Sequence, residues 1–303
     1  MSMDVLELID KNFSLTPSRW KQTNELLESD CGVKRVRYWS DEALMNWHHA
    51  WRNQAEHDQV LVDRMHHTVE GRWFVPLEDG FLTLHDVYFD SFPKQNHEHI
   101  WGRFIGEMLA FGVEHPHYQG VHESTTLNIL DNLEDSNRMD TNLTMIRKSL
   151  PEAKRRLNMV QEIFEQYRHL PKPILESSLS VNQGKRVHGY LFWQGGNHYP
   201  EAGLQGVGSL LADWHQSTDT RSVHALLDHI DDRFTLTGGY DQLIVAELIA
   251  PREVQKCMGR MENAGPEQSK QILDRFEQEW ETNLRLVEEV YAWINRRAKK
   301  VIR

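Results

Sequence analysis

The side chains best suited to chemistry in this chain are imidazoles and carboxylates: 303 residues carry 17 His and 45 Asp plus Glu. Imidazole titrates near neutral pH and ligates metals, and carboxylate oxygens complete mixed sites that suit iron, manganese or zinc. The densest cluster is His97-Glu98-His99, Glu107, Glu114-His115-Pro116-His117 and His122-Glu123. On a helix, His99, Arg103, Glu107 and Glu114 fall within about 80° of one another and form one polar stripe. Glu114 and His117 add the i, i+3 carboxylate and imidazole pair of helical di-metal sites. The cluster nominates His97, His99, Glu114 and His117 as metal ligands, Glu107 as a catalytic carboxylate and Arg103 as a substrate contact.

A second cluster comprises His215, Asp219, His224, Asp228, His229, Asp231 and Asp232, in which His224 and Asp228 lie one helical turn apart and form a further ligand pair. Opposite the two stripes lie Ile100, Trp101, Phe104 and Met108, and Val223, Leu226, Leu227 and Ile230, respectively. The competing expectation is therefore two amphipathic helices with solvated polar faces, because metal sites in bundles project inward. If the two polar faces pack together, ligation gains the advantage.

Two further features invite chemistry. On a helix running from Ser40 to about His67, Asp58 points between Trp47, Trp51, Val62 and Met65, in the middle of the apolar stripe. A carboxylate there has to be paired, protonated or catalytic, with His48 and His66 at the stripe's edge as partners. The competing role is a structural acid. The segment Gln194-Gly195-Gly196-Asn197-His198-Tyr199-Pro200 joins an expected strand to an expected helix. Backbone N–H groups in that setting bind anions, which nominates Gly195, Gly196, Asn197 and His198 as substrate contacts against the alternative of an ordinary glycine turn.

The elements that must position these residues are mostly helices. Residues 73–82 hold two apolar runs around Asp79-Gly80, a hairpin signal. A helix fits 97–114. Ser149-Leu150-Pro151-Glu152 fits a capping box opening another. After Pro171 and Pro173, strands fit 174–181 and 186–193 around Asn182-Gln183-Gly184. Helices then fit 202–216 and 222–234, and Pro251 and Pro266 open two more; the last is long, with Asn283 inside its apolar stripe as a register-setting polar residue. The expected fold is α+β, predominantly α-helical with two short β-hairpins, because strands and helices do not alternate as a parallel sheet requires. A division near 170 separates a mainly helical region, 1–170, with one hairpin and the first His/carboxylate cluster, from 171–303, a hairpin followed by helices.

Leu170-Pro171, Leu179-Ser180-Val181, Gly184-Lys185 and Gly195-Gly196-Asn197 together resemble a stretch of thymidylate synthase. The chain departs from that family where its nucleophilic cysteine and its arginine-serine pair belong, with Ile174 and Gln194-Gly195 there, so membership does not follow. Gly-x-Ser-x-Gly, His-Glu-x-x-His and Cys-x-x-Cys are all missing. Cys31 and Cys257 are far apart and read as reduced thiols of a cytoplasmic protein. The first residues are acidic where a signal peptide is basic, and no apolar run is long enough to span a bilayer. A formal charge of −11 argues against general nucleic-acid binding.

These residues point to a metal-dependent enzyme using His and Asp/Glu ligands on a small-molecule substrate, with an iron-dependent oxidase or oxygenase as the class. Two alternatives stand beside it. One is a non-catalytic assembly or interaction protein, in which ten tryptophans fill a core or a homo-oligomer interface. The other is a metal-free transferase that binds an anionic substrate at residues 195–198.

Overall fold

The computed structural model describes residues 5–16, 18–55, 59–115, 122–123, 144–261 and 264–301. The described elements begin with α1 (Val5–Phe13), β1 (Arg19–Gln22), β2 (Leu26–Ser29), β3 (Gly32–Trp39), α2 (Glu42–Gln54), β4 (Val60–Val62), β5 (Val75–Leu77), β6 (Gly80–Asp86) and α3 (Glu98–Glu114). Next come β7 (His122–Glu123), α4 (Thr144–Gln166), β8 (Ile174–Leu175), β9 (Gly184–Val187), β10 (Tyr190–Trp193) and β11 (Glu201–Ala202). The chain finishes with α5 (Gln205–His215), α6 (Thr220–Arg233), α7 (Tyr240–Ile249), α8 (Arg252–Met261) and α9 (Pro266–Val301).

Two compact units result, each gathered from separate stretches of sequence. Among the described residues, one takes those of 5–93 and 181–200; the other takes those of 94–115, 122–123, 144–180 and 201–301.

The first unit is rich in strands. Five form an antiparallel sheet in the order β1-β2-β3-β6-β5. Ile9, Leu15, Leu27, Val36, Val75, Leu82 and Leu84 make its apolar core. A second sheet places β10 between β4, to which it runs parallel, and β9, to which it is antiparallel. The fold is mixed α+β as expected, but two short hairpins understate the five-stranded sheet. Strand β3 escapes a search for alternating apolar residues because Lys34 and Arg37 are buried on it beside Val36 and Trp39.

Other local expectations change too. Helix α2 starts where expected, with Asp41 accepting hydrogen bonds from the Ala43 and Leu44 amides, but it ends at Gln54. Val62, placed on that helix from sequence, belongs to β4. The β9–β10 hairpin turns at His188-Gly189, both at positive φ (48° and 90°), and residues 181–183 form a short 3-10 turn. Helix α4 starts at Thr144, so Pro151 lies inside it and no capping box opens it.

In the second unit, α3 and α6 lie in close contact because Gly102 and Gly106 have no side chains. A Cβ at Gly102 would meet the Cβ of His229 at 2.5 Å, and one at Gly106 would meet that of Arg233 at 2.8 Å. A small sheet, β7-β11-β8, accompanies the helices. Ile146, Ala153, Leu157, Val254, Cys257 and Phe276 form a core joining α4, α8 and α9. No helix among the described residues is long and apolar enough to cross a membrane.

Candidate functional site

A connected set of buried polar groups lies in the strand-rich unit. Pairing of β3 with β6 sets Arg37 opposite Thr83 and Arg35 opposite His85. Alternation then turns Arg37 and Trp39 to the same face as Thr83 and His85. Asp63 follows β4 directly, and its amide donates to the Trp193 carbonyl at the end of β10 (2.9 Å). These positions build a continuous buried chain. The Trp39 indole N–H donates to Thr83 Oγ1 (2.7 Å), the Thr83 hydroxyl donates to His85 Nε2 (2.7 Å), and His85 Nδ1–H donates to Asp63 Oδ1 (3.0 Å). The Arg37 guanidinium stands 3.7 Å from Asp63 Oδ2.

Electrostatics fixes the protonation of this chain. His85 is pushed down to about 4, first by burial and then by the charges of Arg52 and Arg37, against the opposing pull of Asp63. Burial alone would raise Asp63, but His85, Arg52 and Arg37 hold it below the ordinary carboxylate range. A neutral imidazole and an ionised carboxylate therefore face Arg37. Thr83, His85 and Asp63 reproduce the hydroxyl, imidazole and carboxylate order of a nucleophilic triad. With all three at most 1% exposed, the hydroxyl meets no substrate. The chain orients Arg37 instead.

Arg37 points at the loop that follows β10. Its Nη2 donates to the Gly195 carbonyl, and its Nη1 donates to Asn197 Oδ1 (3.1 Å). From α2, Arg52 Nη2 donates to the Gly196 carbonyl, and His48 Nε2, one turn earlier, donates to the His198 carbonyl (2.9 Å). Three side chains thus hold four successive loop residues. The expectation for residues 195–198 was amide N–H groups facing an anion; here carbonyl oxygens face cations.

The clusters singled out from sequence lie in the helical unit, and packing of α3 on α6 does bring parts of them together. The His99 and His229 rings stand edge to face with centroids 6.1 Å apart. Glu107, however, accepts from Arg233 (2.8 Å), and Glu98 accepts from the Ser222 hydroxyl (2.5 Å). His224 Nε2 donates to the Glu289 carbonyl (2.9 Å), and Asp228 accepts from the Trp293 indole (2.8 Å) and from Arg296 (2.7 Å). His97 Nδ1 donates to the Gln95 carbonyl, while Arg103 and Glu114 are exposed. Arginines, an indole and backbone carbonyls have taken atoms of His97, Glu107, His224 and Asp228 that a cation would need. Among the described residues, no group of three or more His, Cys, Asp or Glu is arranged to hold a metal ion. Asp58 and His117 lie outside the described residues, and the helix assumed for Asp58 stops at Gln54.

Sequence reasoning passed over Arg37, Arg52, Asp63, His85 and Thr83. The available signal was charge inside apolar surroundings: Arg37 between Val36 and Trp39, and Asp63 after Val60-Leu61-Val62.

No family model and no curated protein sequence matches this chain. Solved structures do. An aminoglycoside phosphotransferase from Alicyclobacillus acidocaldarius superposes with a TM-score of 0.64 at 10% identity, over 95% of each chain. A spectinomycin phosphotransferase in its AMP-bound complex gives 0.62 at 10% identity, over 95% of this chain and 97% of that one. An amicoumacin kinase in complex with AMP-PNP, Ca2+ and its substrate gives 0.58 at 10% identity, over 93% and 92%. These likenesses, with no metal-holding group among the described residues, overturn the metal-dependent oxidase or oxygenase; iron, manganese and zinc lose their support, and the transferase alternative fits better. The chain has the fold of kinase-type small-molecule phosphotransferases.

Proposed function

We propose that this chain is a kinase-fold protein that binds a small, amine-bearing molecule and does not itself transfer a phosphoryl group. One observation carries the second half of this reading: the sequence lacks the carboxylate-bearing motifs of kinase chemistry. Phosphoryl transfer depends on carboxylates, one accepting the proton of the attacking hydroxyl and others holding the Mg2+ that neutralises the phosphates. Protein kinases supply them from His-Arg-Asp-Leu-x-x-x-Asn and Asp-Phe-Gly segments, under a Gly-x-Gly-x-x-Gly loop. None of these motifs occurs here. The Asp-x-x-x-x-Asn spacing occurs once, at Asp41 and Asn46, where Asp41 is committed to capping α2.

The ligand class rests on two supports. The solved relatives are named for aminoglycoside, spectinomycin and amicoumacin. A net charge of −11 attracts cations and repels polyanions.

An active phosphotransferase is the second reading, favoured by correspondence over 95% of both chains with a phosphotransferase. Thermal denaturation of the full chain against aminoglycosides, spectinomycin and choline, paired with a transfer assay using MgATP, separates the two. The expected outcome is a raised Tm with at least one amine-bearing compound and no transfer above the enzyme-free blank. Turnover near the roughly 1–100 s−1 of kinases would establish the second reading. An unchanged Tm across the panel would remove the first.

A further inference from the structure

We propose that the loop of residues 194–200 is an internal stand-in for an anion: it occupies the guanidinium groups of Arg37 and Arg52, and an external phosphate group reaches them only by displacing it. The inference goes beyond the binding reading above and fails separately from it, because it concerns arginines and a loop rather than missing motifs.

Guanidinium groups match the planar oxygens of phosphate and carboxylate, and their bonds to anions are stronger than those to neutral acceptors. Here both guanidiniums donate to neutral acceptors of one short segment, the carbonyls of Gly195 and Gly196 and the side-chain oxygen of Asn197, while Arg37 also faces the Asp63 carboxylate. Both arginines are buried, Arg37 at 7% exposure and Arg52 at 1%. Arg37 cannot swing away, because Asp63 holds it from behind and is itself held by His85. The segment is tethered at its far end as well: the His198 carbonyl accepts from His48, and the Tyr199 hydroxyl donates to Asp41 Oδ2 (3.4 Å). Gly195 and Gly196 bring no side chains, so backbone oxygen lies against both cations. The outer edge of the same loop is open to solvent, with His198 and Tyr199 exposed. A competitor can therefore approach from outside, and the cost of its binding is the release of these tethers.

Inorganic tripolyphosphate is the probe, since it offers phosphate oxygens and no base or sugar. Calorimetric titration of the full chain is compared with two loosened variants: Asn197→Ala, and an insertion of two glycines between Gly196 and Asn197. Each is checked for native near-UV circular dichroism, and Asn197→Ala carries the test if the insertion fails to fold. Hydrogen exchange is read at the amides of residues 195–199. The expected result is faster exchange in the loosened chains and tripolyphosphate binding tighter than wild type by about tenfold or more, a gain that disappears when Arg52→Gln is added. Equal affinity in loosened and wild-type chains would overturn the proposal. So would a gain that survives Arg52→Gln, or a loop whose exchange does not respond to loosening.

Discussion

Charge is handled in opposite ways at the Arg37 cluster of the strand-rich unit and at the α3–α6 pair of the helical unit. In the strand-rich unit, Arg37, Arg52, Asp63 and His85 are sealed inside, and each is answered by specific atoms. In the helical unit, α3 and α6 carry more acids and imidazoles, and all of them but the buried Asp231 are partly or fully exposed around an apolar contact that Gly102 and Gly106 allow to close. Abundance of chemical groups therefore marks surface, while a few charges placed against the apolar pattern mark the ordered interior. Desolvation explains the difference: a buried ion survives only with a geometrically fixed partner, whereas a rim ion shares its field with water.

The largest expected effect that sharpens this contrast comes from Asp63→Ala, which leaves the Arg37 cation buried without its counter-ion. Urea denaturation should show a loss of about 3–5 kcal/mol. A loss under about 1 kcal/mol would erase the distinction between the units.

Acidification comes next. The unfolded chain protonates His85 near the ordinary imidazole value of 6.5, while the folded chain holds it to about 4. The folded state binds fewer protons between these values, so the stabilisation is complete above pH 6.5 and is lost as pH falls towards 4, on the order of 3 kcal/mol at most. Melting curves over that window should show the fall, and His85→Gln should flatten it.

In the helical unit, Gly102→Ala forces a methyl group into the space of the His229 Cβ and should cost about 1–3 kcal/mol by overpacking. The smallest effect belongs to the α3–α6 ion pair. Glu107→Gln, with Arg233 about half exposed, should change stability by less than about 1 kcal/mol. A cost of several kcal/mol would give the rim cluster the weight its composition first implied.

How much was legible in the sequence follows the same physics. Helices α3, α6 and α9 were readable from their apolar periodicity, because each buries one face and wets the other. The β5–β6 hairpin was readable from Asp79-Gly80. Strands β1 to β3 were not: β1 and β2 are four residues each, and on the longer β3 buried Lys34 and Arg37 break the alternation by which a strand is recognised. The site suffered from the same cause. Arg37 acquires its role from residues far along the chain, Asn197 and Gly195, and no local spacing encodes that pairing. For His224 and Asp228 the sequence supplied the right helix face, and the partners there were a carbonyl, an indole and an arginine instead of a metal.

The most direct measurement is a single-turnover experiment with the full chain in molar excess over γ-labelled MgATP, in the presence of whichever amine-bearing compound raises its Tm. On the proposed binding reading, the label should stay on ATP for as long as in a protein-free control. Label appearing on the compound, in proportion to enzyme and at a rate above that control, would contradict the claim.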